Sequence, residues 1–290
     1  MPILFFGTED FSAVALEGLL AAGFDVRAVI TKPDSKKGRG QRLSPPLVKT
    51  IAQKYGVAVW QPTKLSEVAD DIIALQPVAG VLVSYGRIVP RTIIELFTPG
   101  IINLHPSLLP KYRGPSPIES ALLHGDESTG VSLMQLSPKM DAGPVYHQVE
   151  YHLPQYETKP HLYKKLAELG TSELVAALPR ILDGSLQATL QNEATASYCP
   201  LLNKSDGLLD PARQTADEAE RNVRAFLGFP RSRLSLRGHE VIITKAHVSQ
   251  QGDEPGAVAF QDGAYLVIDE LIAPSGRRMS ADAFEKGYRH

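Results

Sequence analysis

Short apolar runs in the first part of the chain alternate with stretches in which apolar residues recur every three or four positions. Runs of this kind, bounded by Gly or Pro, predict buried strands, and the helical spacing predicts helices between them. Strands are predicted at residues 3–6, 26–31, 57–60, 80–83, 100–104, 130–135 and 145–151, and helices at 11–20, 47–55, 117–124 and 161–182. Because strands and helices alternate, we predict a Rossmann-like, mostly parallel α/β sheet with helices on both faces.

The pattern changes after residue 189, where the apolar periodicity fades and the polar run Gln191-Asn192-Glu193 begins. A helix is predicted at residues 215–226, followed by short strands at 233–236, 241–246, 257–260 and 265–268 with glycines at the turns between them. Several short strands in so small a segment predict a small β-barrel. We therefore expect a first domain over residues 1–189, a linker over 190–205 and a second domain over 206–290.

The composition narrows the class of protein. With 43% hydrophobic and 21% charged residues, the chain has the balance of an ordinary soluble globular protein. The net charge of −2 argues against a surface that is basic all over, so any contact with RNA must be local. Cys199 is the only cysteine, which excludes an internal disulfide. The chain enters a predicted strand at Ile3 and leaves no room for a targeting segment, so we expect a cytoplasmic protein.

Polar residues interrupt the apolar run at residues 100–104 and follow its end. Asn103 and His105 lie two positions apart, so in an extended strand both side chains project from one face. In open parallel sheets ligands bind outside the carboxyl ends of the strands, which makes this pair a candidate for chemistry. A histidine after a strand is also commonly structural, and an aspartate such as Asp141, which precedes Ala-Gly, is commonly a turn former. The residues alone leave both interpretations open.

Three motifs nevertheless occur together: Asn103-Leu104-His105-Pro106-Ser107-Leu108-Leu109-Pro110, then Tyr112-Arg113-Gly114, then Asp141-Ala142-Gly143. In this combination they resemble the folate-dependent formyltransferase family, and the resemblance covers nearly the whole chain. It departs from the family pattern at Glu9-Asp10, where a proline is usual, and at Leu227-Gly228-Phe229-Pro230, where Asn-Pro-Trp-Pro is usual. The resemblance implies the formyltransferase fold followed by an OB-like β-barrel.

The resemblance also implies an activity: transfer of a formyl group from 10-formyltetrahydrofolate to the α-amino group of methionine on initiator tRNA. Asn103 and His105 would donate hydrogen bonds to the oxyanion that forms, and Asp141 would orient His105 or accept the proton of the amine. The implied folate contacts are Ser84, Tyr85, Gly86, Ile88, Pro90, Ser107, Leu108, Leu109, Pro110, Met140 and Gly143. The loop over residues 84–90 would contact the pterin largely through backbone groups.

Residues 32–42 hold five basic side chains against one acidic side chain, with glycines between them, and predict a flexible cationic loop. A short charge run is commonly only a solvated surface. This one, however, leaves the carboxyl end of a predicted strand, at the same sheet edge as His105, and resembles a loop that family members insert at the acceptor end of the tRNA. The implied tRNA contacts are Lys36, Lys37, Arg39, Arg42 and Lys204.

Two other enzymes fit much of the pattern. One formylates an amino sugar on a nucleotide carrier, although the cationic loop argues against it, and the other hydrolyses formyl-tetrahydrofolate. We expect no metal, because His105 lacks a second ligand at zinc spacing. We expect no nicotinamide or flavin, because Gly7 stands alone where Gly-x-Gly-x-x-Gly is usual. We also expect a monomer.

Overall fold

A computed structural model describes residues 1–37, 42–76 and 78–288, without the side chains of Lys37 and Arg42. The chain divides into two compact units. The first consists of Met1–Gly114, Thr129–His152 and Tyr163–Tyr198, and the second of Pro115–Ser128, Leu153–Leu162 and the chain from Cys199. The predicted linker thus contributes residues to both units, and the predicted domain limits at 189 and 206 stay a prediction.

The strands and helices up to residue 182 follow the predicted alternation. The strands are β1 (Ile3–Gly7), β2 (Val26–Ile30), β3 (Ser35–Lys37), β4 (Arg42–Ser44), β5 (Ala58–Trp60), β6 (Ala79–Val83), β7 (Ile101–His105), β8 (Ser128–Gln135) and β9 (Val145–His152). The helices are α1 (Asp10–Ala21), α2 (Leu47–Lys54), α3 (Ala69–Ala74), α4 (Arg91–Ile94), α5 (Pro117–His124) and α6 (Lys159–Leu182). No helix in the described part of the chain is both long and apolar enough to cross a membrane.

Within the described residues, seven of these strands form one sheet in the order β5-β2-β1-β6-β7-β8-β9. β1 pairs in parallel with β2 and β6, and β6 pairs in parallel with β7, whereas β8 runs antiparallel to β7. Every residue of β1, β6 and β7 is buried, as expected for central strands covered on both faces. The predicted mostly parallel α/β sheet is confirmed, and the carboxyl ends of β1, β6 and β7 share one edge.

The sequence pattern missed several short elements of the first unit. α3 and α4 have six and four residues, too few for apolar periodicity to show. The expectation of a loop over residues 32–42 was wrong for its described part, because β3 and β4 pair there as an antiparallel hairpin with Lys36 opposite Leu43. Backbone groups make this pairing, and a pattern of charged side chains does not indicate it.

Side chains anchor the base of this hairpin. Lys49 Nζ lies 2.9 Å from both carboxylate oxygens of Asp34. The Nε2 atom of Gln61 donates to Asp34 Oδ1 and to the carbonyl oxygen of Lys32, each over 2.8 Å. The hydrogen bonds from Gln61 and Lys49 hold the pKa of Asp34 below its usual range. The hairpin therefore starts from a point fixed to α2 and to the residue that follows β5.

The second unit contains helix α7 (Ala216–Ala225) and an antiparallel sheet. The sheet strands are β10 (Arg233–Leu236), β11 (His239–Ser249), β12 (Ala257–Ala259), β13 (Tyr265–Ile272) and β14 (Arg278–Ser280), and helix α8 (Ala281–Gly287) follows. In the described residues the strand order is β10-β11-β13-β12, with β14 also paired to β13. Apolar residues from the sheet, α7 and α8 form its core. The predicted barrel is confirmed as a curled antiparallel half-barrel, whereas β14 and α8 were not predicted.

Candidate active site

Asn103 and His105 lie at the carboxyl end of β7, and each is 5% exposed. The side chain of Leu104 between them packs against Gly170 of α6, so close that a Cβ atom at Gly170 would lie 2.7 Å from it. Because side chains alternate along a strand, Asn103 and His105 project from the opposite face of the sheet. Asn103 and His105 therefore share one face of the sheet, as predicted.

The imidazole of His105 has two different neighbours. Its Nε2 atom lies 3.0 Å from the carbonyl oxygen of Tyr112. A carbonyl oxygen can only accept, so Nε2 carries a hydrogen and donates it. Its Nδ1 atom lies 3.8 Å from Oδ2 of Asp141. In the neutral ring Nδ1 is therefore the atom that can take a proton, and a proton there faces a carboxylate.

Asp141 reaches His105 from the loop between β8 and β9. Its backbone has a φ of +46°, in the left-handed region that Asp tolerates better than most residues. The N–H group of Gly114 donates to its Oδ2 atom over 2.8 Å, which fixes the carboxylate beside the imidazole. The fold thus brings Asp141 to His105, whereas the Asn103 amide makes no hydrogen bond with any described residue.

Hydrogen bonds from β8 and β9 hold the predicted folate residues that follow β7. Ser132 of β8 donates from Oγ to the carbonyl oxygen of Ser107 over 2.6 Å, and accepts from the N–H group of Leu109 over 3.1 Å. Gln148 of β9 donates to the carbonyl oxygen of Leu109 and to Ser132 Oγ, each over 2.8 Å. Ser107 and Leu109 are buried, and Leu108 and Pro110 are partly exposed.

The predicted folate residues after β6 have mixed surroundings. The ring of Tyr85 is 1% exposed and packs edge-on against Phe6, and burial raises the pKa of its hydroxyl while the nearby Arg87 opposes that rise. Gly86 has a φ of +68°, and a Cβ atom there would lie 2.5 Å from Lys32 Nζ. Ile88 is 87% exposed. The groups of this loop that a ligand could contact are therefore backbone groups and the exposed side chain of Ile88, and the buried ring of Tyr85 is not among them.

The other predicted folate residues also occupy loops of the first unit. Ser84 accepts the N–H group of Thr8 with its carbonyl oxygen over 3.2 Å, and Pro90 precedes α4. Met140 is 59% exposed beside Asp141. Gly143 is buried, and a Cβ atom there would overlap the carbonyl oxygen of Gln135. Only glycine fits at this position, so the loop that carries Asp141 packs directly on β8.

The sequence reading missed a buried arginine beside this site. Arg113 is 0% exposed, and its guanidinium donates to Gln191 Oε1 and to both carboxylate oxygens of Glu193 over 2.8 to 3.1 Å. The hydrogen bond with Glu193 raises the pKa of Arg113, and Arg113 lowers the pKa of Glu193. Arg113 could have been singled out because it belongs to the Tyr112-Arg113-Gly114 motif. No motif in the sequence identifies Gln191 and Glu193 as its partners.

The predicted tRNA contacts are spread over the chain. Lys36 is exposed in β3, and the backbones of Lys37 and Arg42 lie at the facing ends of β3 and β4. Arg39 lies outside the described residues. Lys204 begins a short 3₁₀ turn, Lys204–Gly207, in the second unit. In the described ranges no group of three or more His, Cys, Asp or Glu residues could hold a metal ion.

Comparison with known families covers both units of the chain. The profile of the formyl transferase family matches residues 1–178, and the profile of the formyl transferase C-terminal domain matches residues 201–289. The fold and the site therefore define a formyl transferase. Methionyl-tRNA formyltransferase of Desulfotalea psychrophila is 39% identical over 295 residues, which cover 97% of this chain and 91% of that protein. The chain belongs to the methionyl-tRNA formyltransferase family.

Two further comparisons concern the family and the fold. Methionyl-tRNA formyltransferase of Halorhodospira halophila is 40% identical over 299 residues, which cover 99% of this chain and 96% of that protein. The crystal structure of an N-formyltransferase from Helicobacter canadensis in complex with folinic acid and dTDP-3-aminofucose has a TM-score of 0.70 at 21% identity, covering 92% of this chain and 98% of that one. At 21% identity, the similarity to the Helicobacter canadensis structure shows a shared fold.

Proposed function

We infer that the protein transfers the formyl group of 10-formyltetrahydrofolate to the α-amino group of methionine on initiator tRNA. The observation that carries this inference is the approach of Asp141 to Nδ1 of His105, together with the Asn103 amide, which makes no hydrogen bond with a described residue. Relatives of nearly full length named methionyl-tRNA formyltransferase support the choice of acceptor. The amino-sugar alternative rests on structural neighbours such as the Helicobacter canadensis enzyme, which share the fold at 17 to 21% identity.

The reaction needs hydrogen-bond donors where negative charge develops. A neutral amine attacks the formyl carbon, a C–N bond forms, and the formyl oxygen becomes an oxyanion before the bond to the donor nitrogen breaks. The Asn103 amide can donate to that oxygen, because no described residue engages it. One preorganised donor of this kind typically contributes about 3 to 4 kcal/mol to transition-state stability.

The reaction also moves a proton from the attacking amine to the departing nitrogen. Asp141 Oδ2 is held by the N–H group of Gly114, so the carboxylate has a fixed position from which to accept the proton of the amine. His105 Nδ1 can take that proton, while its Nε2–H stays bonded to Tyr112. Protonated Nδ1 then faces Asp141 and can donate toward the oxyanion or the departing nitrogen. A positioned acid or base of this kind contributes about 10²- to 10⁴-fold.

The loops around the site fit a reduced folate. Gly86 brings backbone close to the ligand edge of the sheet, and backbone N–H and C=O groups suit the edge of a pterin ring. Ile88 lies on the loop that follows β6, and Met140 precedes Asp141 on the loop that reaches His105; both are exposed apolar side chains, which suit aromatic rings. We propose that these loops, with residues 107–110, hold the formyl donor.

The cationic hairpin suits the phosphates of an RNA. Basic side chains fix the register of a nucleic acid through phosphate contacts, and unpaired ends are read by other groups. We propose that Lys36, Lys37, Arg39 and Arg42 contact the acceptor end of the tRNA and that Lys204 contributes from the second unit. Action as a monomer in the cytoplasm remains part of this proposal, and sedimentation of the protein at working concentration tests its monomeric state.

A competition assay tests the choice of acceptor. The protein is given 10-formyltetrahydrofolate together with methionyl-initiator tRNA and a nucleotide-linked amino sugar, and a parallel sample contains no acceptor. We expect formyl-methionyl-tRNA as the product. Formylated sugar would transfer the assignment to the amino-sugar enzyme, and loss of the donor without either product would indicate a hydrolase.

A further inference from the structure

We propose that Gln191 is a positioning residue for Asp141, and this inference rests on the proposed formyl transfer. Gln191 lies far along the chain from both β7 and the Asp141 loop, in a segment that looks like a polar linker in the sequence. In the fold its side chain lies between a buried arginine and the loop that carries Asp141. The nitrogen of its side-chain amide binds the Asp141 loop, and the oxygen of the same amide binds Arg113.

The amide nitrogen of Gln191 holds the Asp141 loop by its backbone. Nε2 donates to the carbonyl oxygen of Asp141 over 2.8 Å and to the carbonyl oxygen of Gly143 over 2.7 Å. A primary amide has two N–H donors, so the two bonds use its full donor capacity. They fix the backbone on either side of Ala142, and with it the left-handed turn from which the Asp141 carboxylate projects.

The amide oxygen of Gln191 is held in turn by Arg113. Nε and Nη2 of Arg113 lie 3.0 and 2.9 Å from Gln191 Oε1, so a rigid guanidinium fork sets the orientation of the amide. Arg113 is itself fixed by Glu193 and by the hydroxyl of Tyr198, 3.2 Å from Nη1. The orientation of Gln191 is therefore determined by a fully buried charged group.

The same segment also holds the other side of the site. Ser197 donates its N–H group to the carbonyl oxygen of Pro110 over 3.1 Å, and its Oγ accepts the N–H group of Tyr112 over 2.9 Å. Tyr112 supplies the carbonyl oxygen that accepts from His105 Nε2. Residues 191–198 thus fix both the partner of His105 and the backbone of Asp141, so they set the separation of 3.8 Å between Nδ1 and Oδ2.

Two variants separate the two ends of the amide. Gln191→Glu keeps an oxygen for Arg113 but replaces the donor with a carboxylate oxygen, which repels the carbonyl oxygens of Asp141 and Gly143. Gln191→Met keeps the length of the side chain and removes both functions. A misplacement of about 1 Å can cost roughly 10²-fold in rate. We expect both variants to lower kcat by about 10- to 100-fold, with the KM for tRNA changed by less than about 3-fold.

The neighbouring residue provides a matched control. Asn192 is exposed, and within the described ranges its side chain accepts only from the N–H group of Ala194 in its own turn. We expect Asn192→Ala to retain kcat within about 2-fold, since it leaves the Asp141 loop untouched. If Gln191→Glu also retains kcat within about 2-fold, Gln191 only satisfies Arg113 and the positioning role is overturned.

A double-mutant cycle distinguishes positioning from general stability. In the Asp141→Ala background there is no carboxylate to position, so Gln191→Glu should lower kcat by no more than about 2-fold further. Independent, multiplicative losses would contradict the proposal, whether or not Gln191→Met folds. The unchanged protein is measured first with methionyl-tRNA, and a lack of transfer there would refute the proposed function. Normal transfer by the unchanged protein, together with independent losses of kcat in the two variants, would refute only the role of Gln191.

Discussion

The Nε2 atom of His105 donates a hydrogen bond to the carbonyl oxygen of Tyr112 over 3.0 Å. This bond gives the two ring nitrogens different neighbours, and Nδ1 is the nitrogen to which we assign the proton transfer. Nε2 is committed to the backbone, and Nδ1 faces Asp141. The two sides can be separated by substitution, because a glutamine amide can replace the donor at Nε2 but offers no titratable nitrogen at Nδ1.

His105→Gln should therefore keep the fold and lose the chemistry. We expect kcat to fall by about 10²- to 10⁴-fold, the contribution of a positioned acid or base. The midpoint of thermal unfolding should remain closer to that of the unchanged protein than the midpoint of His105→Ala, which loses the bond to Tyr112 as well. Steady-state formylation and thermal unfolding of both variants test this. A His105→Gln variant with near-normal kcat would remove Nδ1 from the mechanism.

Asn103→Asp should lower kcat by at least about 10²-fold, because a carboxylate of the same size replaces the hydrogen-bond donor for the oxyanion. The Asn103 side chain makes no hydrogen bond with a described residue, so its loss leaves no protein partner unsatisfied.

Asp141→Ala should lower kcat by at least about 10²-fold, because the variant lacks the proton acceptor. Single-turnover rates with saturating donor provide the measurement. Normal rates in both variants would refute the site.

Ile88→Ser should raise the KM for the folate donor without affecting stability. Ile88 is 87% exposed, so it contributes little to the core, but burial against a ligand would contribute about 1 to 2 kcal/mol, or roughly 5- to 30-fold in affinity. Ile73, which is 50% exposed on α3, provides the matched control as Ile73→Ser. Equal donor KM values for the two variants would place Ile88 outside the pocket.

Lys36→Ala and Arg42→Ala should each weaken tRNA binding and flatten its dependence on salt. Each lost phosphate contact reduces the slope of log K against log salt by about one. Arg27 is a matched control, because it is an exposed arginine near the amino end of β2, at the opposite sheet edge, paired with Asp25. Binding isotherms at several salt concentrations decide the question. A slope that stays unchanged in both hairpin variants would remove the hairpin from the RNA interface.

The Arg113–Glu193 pair predicts a dependence of stability on pH. The hydrogen bond from Arg113 lowers the pKa of Glu193 in the folded protein. Its contribution is therefore fully present above the ordinary glutamate pKa of about 4.3 and is lost as pH falls through the lower folded value. Glu193→Gln should lack this part of the acid dependence. Urea unfolding of both proteins between pH 3 and 6, roughly spanning that range, provides the comparison; parallel curves would show that the pair does not stabilise the fold.

The central strands and the shared face of Asn103 and His105 at the end of β7 could be predicted from the sequence. Continuous apolar runs indicate strands buried on both faces, and the period of two places Asn103 and His105 on one face. Short elements such as α3, α4 and the hairpin of β3 and β4 could not be predicted this way. Their few residues carry no complete apolar period, and the hairpin depends on backbone pairing.

The sequence by itself determined the mostly parallel sheet, the small β domain that follows it and the family motifs, because these depend on local periodicity and on residues close together along the chain. Only the tertiary structure decided that Arg113 is fully buried, that Gln191 binds the Asp141 loop and that His105 donates to Tyr112. A polar run such as residues 191–193 looks like a linker when it is read alone. Whether it stays in solvent or satisfies a buried charge depends on hydrogen-bond partners that only folding brings within reach.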